Sequence, residues 1–517
     1  MAGQLFAKKS IDKLISDSQD PEKRLKKTLG PWTLTALGIG AIIGSGIFVL
    51  TGTAAAGENF KAPSILQAQV MDLFISLVRN GHISGTILHG RPPAGPAIAV
   101  SFILVAIVCS FAGLCYAELA SMIPIAGSAY TYSYATLGEI FAWIIGWDLI
   151  LEYAVSNIAV AVSFGGYLKA QLEQFHIFLP DKWSTPVFAS NHWTGAYFDL
   201  PAFFVVFVLT VLLVWGIRES TKANNVMVAI KIGAIIVFLV VGGALVNPAN
   251  WHPFAPAGFA GILSGGAIIF FTYIGFDSVS TAAEEARNPQ KDIPFGIIVS
   301  LVICTVLYVG VAVVLLGMMK YPVFASGPAN DAPVAYALQV LGARPAFRTI
   351  IIVGALMGMI SSLLVFQYGQ TRIWFAMSRD CLLPRIFSAV HPRFKTPYWS
   401  CWIAGALVGI PAGIVDIGDA ADLSNIGTLF AFVLVSLGVL FLRRTQPERP
   451  RGFRVPFVPL FPIISVVLCG GLMTGLLLIT WIRFFVWLGI GLLIYAFYSR
   501  RHSEFCPRPA AASGSSS

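Results

Sequence analysis

Residues 37–53 read LGIGAIIGSGIFVLTGT, an apolar run interrupted in its middle by Gly44, Ser45 and Gly46. Joined to its neighbours, the run is long enough to cross a bilayer. Glycine, which weakens a helix interior by roughly 0.5–1 kcal/mol relative to alanine, marks where it comes apart. Lipid cannot satisfy the N–H and C=O groups that unwinding frees, so they must face protein or a water-lined cavity, where they can hold a polar ligand. The stretch predicts a membrane helix broken at midplane around a binding site.

Composition agrees with that reading. The chain has 517 residues, 56% of them hydrophobic and 11% charged, with a mean hydropathy of +0.78, whereas soluble domains carry about 25% charged residues. This is the profile of an all-α polytopic membrane protein. Apolar windows of about 20 residues bounded by Pro, Gly and charge fall at 32–56, 95–120, 138–168, 200–216, 223–246, 258–286, 294–317, 347–375, 397–415, 422–442, 459–479 and 481–499, which predicts twelve transmembrane helices. The formal charge of +9 does not point to nucleic acid. With the N-terminus inside, 24 of the 34 Lys and Arg residues fall in tails, loops and adjoining span ends on that side, nine on the other and Lys231 near the middle of a span. That asymmetry predicts a multi-pass cell-membrane protein with both termini cytoplasmic and membrane lipid as its surroundings. The polar start lacks the apolar core of a cleaved signal peptide. Seven cysteines without metal-ligand spacing imply no disulfide framework, no metal and no cofactor.

The expected organisation is a cytoplasmic tail at 1–31, a five-helix unit at 32–246, a second at 247–442, two further helices at 443–499 and a disordered cytoplasmic tail at 500–517. The first unit contains a long external excursion at 57–93. Its run SILQAQVMDLFISLV places Ile65, Leu66, Val70, Leu73, Phe74 and Leu77 at helical spacing. That pattern fits a surface helix on the bilayer or over the vestibule, and equally a dispensable insertion.

The sixth window repeats the logic of the first, with Tyr273-Ile274-Gly275-Phe276-Asp277 in its middle and Asp277 placed to cap a new half-helix. Interruptions at corresponding positions, first of five and sixth of ten, point to two inverted repeats around a midplane site. In the first break the N–H groups of Ser45, Gly46 and Ile47 form a partial positive end suited to a carboxylate. The carbonyls of Ile42 and Ile43, with those around Phe271, Thr272 and Ile274, form a partial negative end suited to an ammonium. A zwitterionic α-amino acid satisfies both. Taken singly, either motif also serves close helix packing.

Four stretches, GIGAIIGSGIFVLTG, SFAGLCYAELASMIPIAGSAYTYSYATLGE, FFTYIGFDSVSTAAEEARNPQKDIPFGI and GQTRIWFAMSRDCLLP, resemble the amino acid–polyamine–organocation superfamily, specifically bacterial members similar to the cationic amino acid transporters. The resemblance runs from about Leu29 to Arg501 and departs at residues 57–93, where those relatives pass almost directly between spans. It implies the leucine-transporter-like fold, with two inverted five-helix repeats plus two C-terminal helices and helices 1 and 6 unwound, working by alternating access.

Lys231 sits near the middle of the fifth window with no acid within a turn of it. A charge there is expensive and functional by default. Snorkelling to the interface, roughly 12 Å away at 1.5 Å per residue, is strained. By resemblance, Lys231 stands where sodium-coupled relatives hold an ion and is the proton-coupling residue, with a proton gradient as driving force. Asp148 and Glu152, four apart, share a helix face. Glu152 is the candidate for the substrate path, or a buried acid bonded to neighbouring helices. Glu118, Glu284, Glu285 and Arg287 read as gate or structural ion pairs, and Asp416, Asp419 and Asp422 as a solvated loop or cation-attracting vestibule. Phe271 enters the site by resemblance. Ser361 and Ser362 either widen the side-chain pocket or hold the head of Lys231.

These residues predict proton-coupled secondary transport of L-amino acids, cationic ones first (arginine, lysine, ornithine) and small neutral ones second, with a proton-independent exchanger, a channel and a nutrient sensor as rivals. A small accessory membrane subunit remains open. An enzyme would want converging catalytic groups, and all seven histidines fall in loops or tails.

Overall fold

A computed structural model describes residues 5–11, 29–59, 63–83, 85–125, 127–189, 192–215, 220–325, 327–394 and 396–503. Helices dominate them. The first window is two helices, α1 (Pro31–Ile42) and α2 (Gly46–Ala56), bent by 44° across the break. There follow α3 (Val70–Asn80), α4 (Ile98–Met122), α5 (Ser128–Thr136), α6 (Glu139–Gln174), α7 (Leu200–Trp215) and α8 (Ser220–Gly243). The second half holds α9 (Gly258–Ile269), the single turn α10 (Ser278–Thr281), α11 (Pro289–Met318), α12 (Pro333–Val340), α13 (Pro345–Arg379), α14 (Tyr398–Ala412), α15 (Ile417–Thr445), α16 (Leu460–Thr474) and α17 (Leu478–Ile494). Among the described residues, eight helices are long and apolar enough to cross a membrane, and the α1–α2 pair makes a ninth. Shorter apolar helices at α7, α14 and α16 fall on three more of the twelve windows.

Helix starts follow local chemistry. Proline occupies the first turn of α1, α11, α12 and α13, where its missing N–H costs nothing and its fixed φ suits a helix. Gly81 ends α3 in the left-handed conformation at φ 70°.

Burial sorts the helices into layers. The apolar window of α6 is 83% buried and that of α17 only 22%. So α6 is a central element, packed by α13, α15 and α5, while α17 shows apolar side chains outward. The lines of burial run α4 on α11, α11 on α1 and α8 on α13, which sandwiches α1 inside.

The excursion at 57–93 is closed at its base by two antiparallel residue pairs, Glu58 with Arg91 and Asn59 with Gly90. Ordered residues extend into both chain ends. Part of the N-terminal tail is docked: Lys9 Nζ bonds Asp380 at 2.6 Å, Glu139 N–H donates to Ala7 O at 3.0 Å and Ile11 is buried. The last helix continues past residue 499, through a π-helical Tyr495–Ser499, to His502. The predicted disorder beyond 503 lies outside the described residues.

Candidate functional site

Both predicted breaks are present, and they face each other. After α1 the backbone leaves helical space at Ile43 (ψ 86°), and α2 restarts from Ser45. After α9 the chain tightens into a 3-10 turn at Phe270–Tyr273, turns extended at Ile274 and passes Gly275 at φ 119° before α10. The second unwinding therefore begins at Phe270, three residues earlier than the sequence suggests. Two glycines allow the breaks to touch. A Cβ on Gly46 would lie 2.6 Å from Thr272 Cγ2 and 2.9 Å from its Cα, and one on Gly275 would lie 2.9 Å from Ala41 Cβ. No side chain larger than hydrogen fits either place without moving backbone.

The predicted cap at Asp277 is not made. Asp277 precedes α10, but at φ −63°, ψ −28° it is already helical and its side chain caps nothing. A capping residue needs the extended region to turn its oxygen back on the N–H groups. Its Oδ2 instead accepts from the Tyr153 hydroxyl at 3.1 Å. Ser45, at φ −73°, ψ −29°, fails as a cap for the same reason, and its buried hydroxyl has no protein partner. At the start of α2 the N–H groups of Gly46 and Ile47 precede the first intrahelical acceptors, with the helix's positive end behind them.

Lys231 turns inward, fully buried, rather than snorkelling. Its ammonium donates to the carbonyls of Gly40 and Ile43 at 2.8 Å each and to Ser361 Oγ at 3.0 Å. Three acceptors match the three donors of an ammonium. Ser361 donates in turn to Gly358 O at 2.9 Å, and Ser362 donates to Ala41 O at 3.0 Å. The last turn of α1 is thus held by α8 and α13 through carbonyls that have no intrahelical donor.

Sequence reasoning missed Tyr308 on α11. Its hydroxyl lies 2.9 Å from Ile42 O and 2.8 Å from Thr272 O, tying one break to the other. A phenol has one proton, so at any moment it donates to one of these carbonyls and leaves the other for a second donor. A tyrosine buried in an apolar helix was the available signal, since buried phenols find partners.

Of the remaining candidates, Phe271 and Ile274 are buried beside the second break, and Ile274 N–H donates to Phe271 O at 3.3 Å. Asp148 and Glu152 are buried on α6, as is Asn157 one turn further on. Both Asp148 oxygens and Glu152 Oε1 lack a protein partner. Glu118 is structural, gripped by Arg443 at 2.8 Å, by Arg451 at 3.1 Å and by Val455 N–H at 2.7 Å. Leu29 N–H donates to Glu285 O at 3.0 Å and Leu29 O accepts from Arg287 N–H at 2.8 Å, the two bonds flanking Ala286, and the Glu284 side chain lies outside the described residues. Asp422 is not solvated: it is buried on α15 and paired with Arg91 from the excursion, while the Asp419 side chain lies outside the described residues. Asp416 lines a cavity of about 350 Å³ together with Glu58, Asp199 and Asp331, and its lining includes Val49 and Leu50, one turn beyond Gly46.

Residues 29–503 match the family described as amino acid permease. The chain belongs to the amino acid permeases, a family of transporters and not of enzymes. Over 504 residues the permease is 45% identical to branched-chain amino acid permease BcaP of Bacillus subtilis (strain 168), covering 98% of this chain and 99% of that protein. It is 43% identical over 499 residues to the methylthioribose transporter of the same organism, covering 96% and 98%. Cationic amino acid transporter 4, vacuolar, of Arabidopsis thaliana is more distant, at 33% over 458 residues, 86% of this chain and 68% of that one. The match to the family takes in both breaks, Lys231 and Tyr308.

Proposed function

We propose that this permease carries L-α-amino acids across the cell membrane by alternating access, coupled to protons. The observation that supports it most is the pair of facing helix breaks: amides at Ser45, Gly46 and Ile47 for a carboxylate, and carbonyls of Ile42, Ile43, Phe271, Thr272 and Ile274 for an ammonium. On this reading the twelve apolar segments are twelve crossings in two inverted repeats plus two helices, with both termini cytoplasmic. Ser361 and Glu152 border the side-chain end of the site, and Lys231 is the coupling group: deprotonated, it keeps two N–H donors for three acceptors, so one bond to Gly40, Ile43 or Ser361 is lost and the end of α1 loosens.

For the cargo, the branched-chain permease similar along almost the whole chain favours an aliphatic amino acid. The buried carboxyl of Glu152 favours a cationic one instead. Uptake into proteoliposomes under an imposed pH gradient, with radiolabelled leucine, valine, alanine, arginine and lysine, separates the two. Accumulation of methylthioribose alone, which has no α-ammonium and carboxylate, would refute the zwitterion site.

A further inference from the structure

The excursion between the first two spans ends up at a defined place. Gln69 Nε2 donates to Gly475 O at 2.8 Å, Val70 N–H donates to Leu476 O at 3.2 Å, and Leu478 N–H donates to Ala68 O at 3.0 Å. The start of α3 is therefore stitched to the turn between α16 and α17, two helices whose Ile463, Val467, Ile482, Phe485 and Val486 face outward. Trp481 and Arg483 stand within one and a half turns of that junction, the residue types that settle at the headgroup level. The turn thus marks an edge of the lipid-facing belt, and α3 begins there.

The amphipathicity of α3 is inverted. Phe74, Leu77 and Val78 are 64, 58 and 70% exposed, and Ile75, Ile65 and Leu66 are exposed beside them, while polar Ser76 is buried on the opposite side and bonds His82 O at 3.0 Å. Water as the only neighbour would select the reverse arrangement. A contiguous apolar face of this kind needs a cover, and the lipid belt it continues supplies one.

We propose that α3 is an interfacial membrane helix, seating Phe74, Leu77 and Val78 in the headgroup and upper acyl region and anchoring the excursion beside α16 and α17. The test is nitroxide labelling of Phe74→Cys, Val78→Cys and Arg79→Cys, each in the full chain with Cys381 and Cys506 replaced by Ser, in phosphatidylcholine–phosphatidylglycerol vesicles. Arg79 lies on another side of the helix. The expected result is an oxygen-to-nickel-chelate collision ratio several-fold higher at 74 and 78 than at 79. Equal nickel access at all three would show a water-facing helix and overturn the proposal. Immobilised labels at 74 and 78 closed to both reagents would show a covering protein, a second copy of this chain in such a preparation, and would overturn it as well.

Discussion

The ammonium of Lys231 lies 2.8 Å from the carbonyl oxygen of Ile43, the residue at which the first membrane helix comes undone, and 188 positions separate the two in the chain. One protonation event at that nitrogen therefore acts directly on the backbone of the break. Replacing Lys231 by Ala is expected to abolish pH-gradient-driven accumulation while the protein still elutes as a folded species. Ser361→Ala, which removes one of three acceptors, should weaken uptake roughly 10- to 100-fold, in line with about 1.5–3 kcal/mol for a hydrogen bond to a charged group. Full pH-dependent uptake by the alanine variant would remove Lys231 from the coupling role.

Gly46 and Thr272 meet so closely that a methyl group cannot enter. Overpacking of this kind costs about 1–3 kcal/mol. Gly46→Ala should push the breaks apart and reduce substrate affinity roughly 10-fold or more, tenfold being about 1.4 kcal/mol. Scintillation-proximity binding on purified protein reads this directly, and unchanged affinity would show that the contact is mere packing.

Tyr308→Phe deletes the hydroxyl that joins the Ile42 and Thr272 carbonyls but keeps the ring, which sits edge-on to Tyr273. A thermal shift equivalent to about 1 kcal/mol is expected from the lost bond. Substrate binding should change several-fold, because the carbonyl that held the phenol proton then needs another donor. A stability loss with transport kinetics untouched would confine Tyr308 to a structural role.

Glu118 is a buried acid holding two arginines, Arg443 in the last turn of α15 and Arg451 just beyond it. Removing one member of such a cluster leaves charge uncompensated and costs about 3–5 kcal/mol. Glu118→Ala should lower the melting temperature in detergent more than any site variant above, and a shift within a degree of the parent would contradict the assignment.

Asp331, in the turn before α12, lines the cavity beyond the first break, and burial raises its carboxyl above the ordinary value while nearby Lys169 opposes the rise. An acid whose folded-state pKa is raised favours the folded state fully below its unfolded value near 4, and that contribution is lost as pH climbs through the folded one. Asp331→Asn, which cannot ionise, should therefore gain melting temperature over the parent at pH 7 and lose that advantage at pH 4. An equal difference at both values would refute the shift.

Much of this was legible from residues alone because it rests on local properties. Hydrophobic length located the apolar helices, Gly44, Gly46 and Gly275 located both interruptions, and a lone lysine in an apolar run drew attention to Lys231. The cap at Asp277 failed for an equally local reason, since its backbone is helical where a cap must be extended. Periodicity showed that residues 65–77 form an apolar face, but a period says nothing about which way the face turns.

By itself, then, the sequence determined that the chain is a membrane-embedded bundle with two weak points, because bilayer solubility and backbone permissiveness belong to individual residues and their spacing. Only the tertiary structure decided what those weak points meet: Thr272 against Gly46, Lys231 and Ser361 on the carbonyls of α1, Tyr308 across both breaks, Arg91 on Asp422. Each of these joins residues far apart in the chain, and directional bonds at 2.8–3.0 Å depend on how helices are rotated and stacked, which no window of sequence contains.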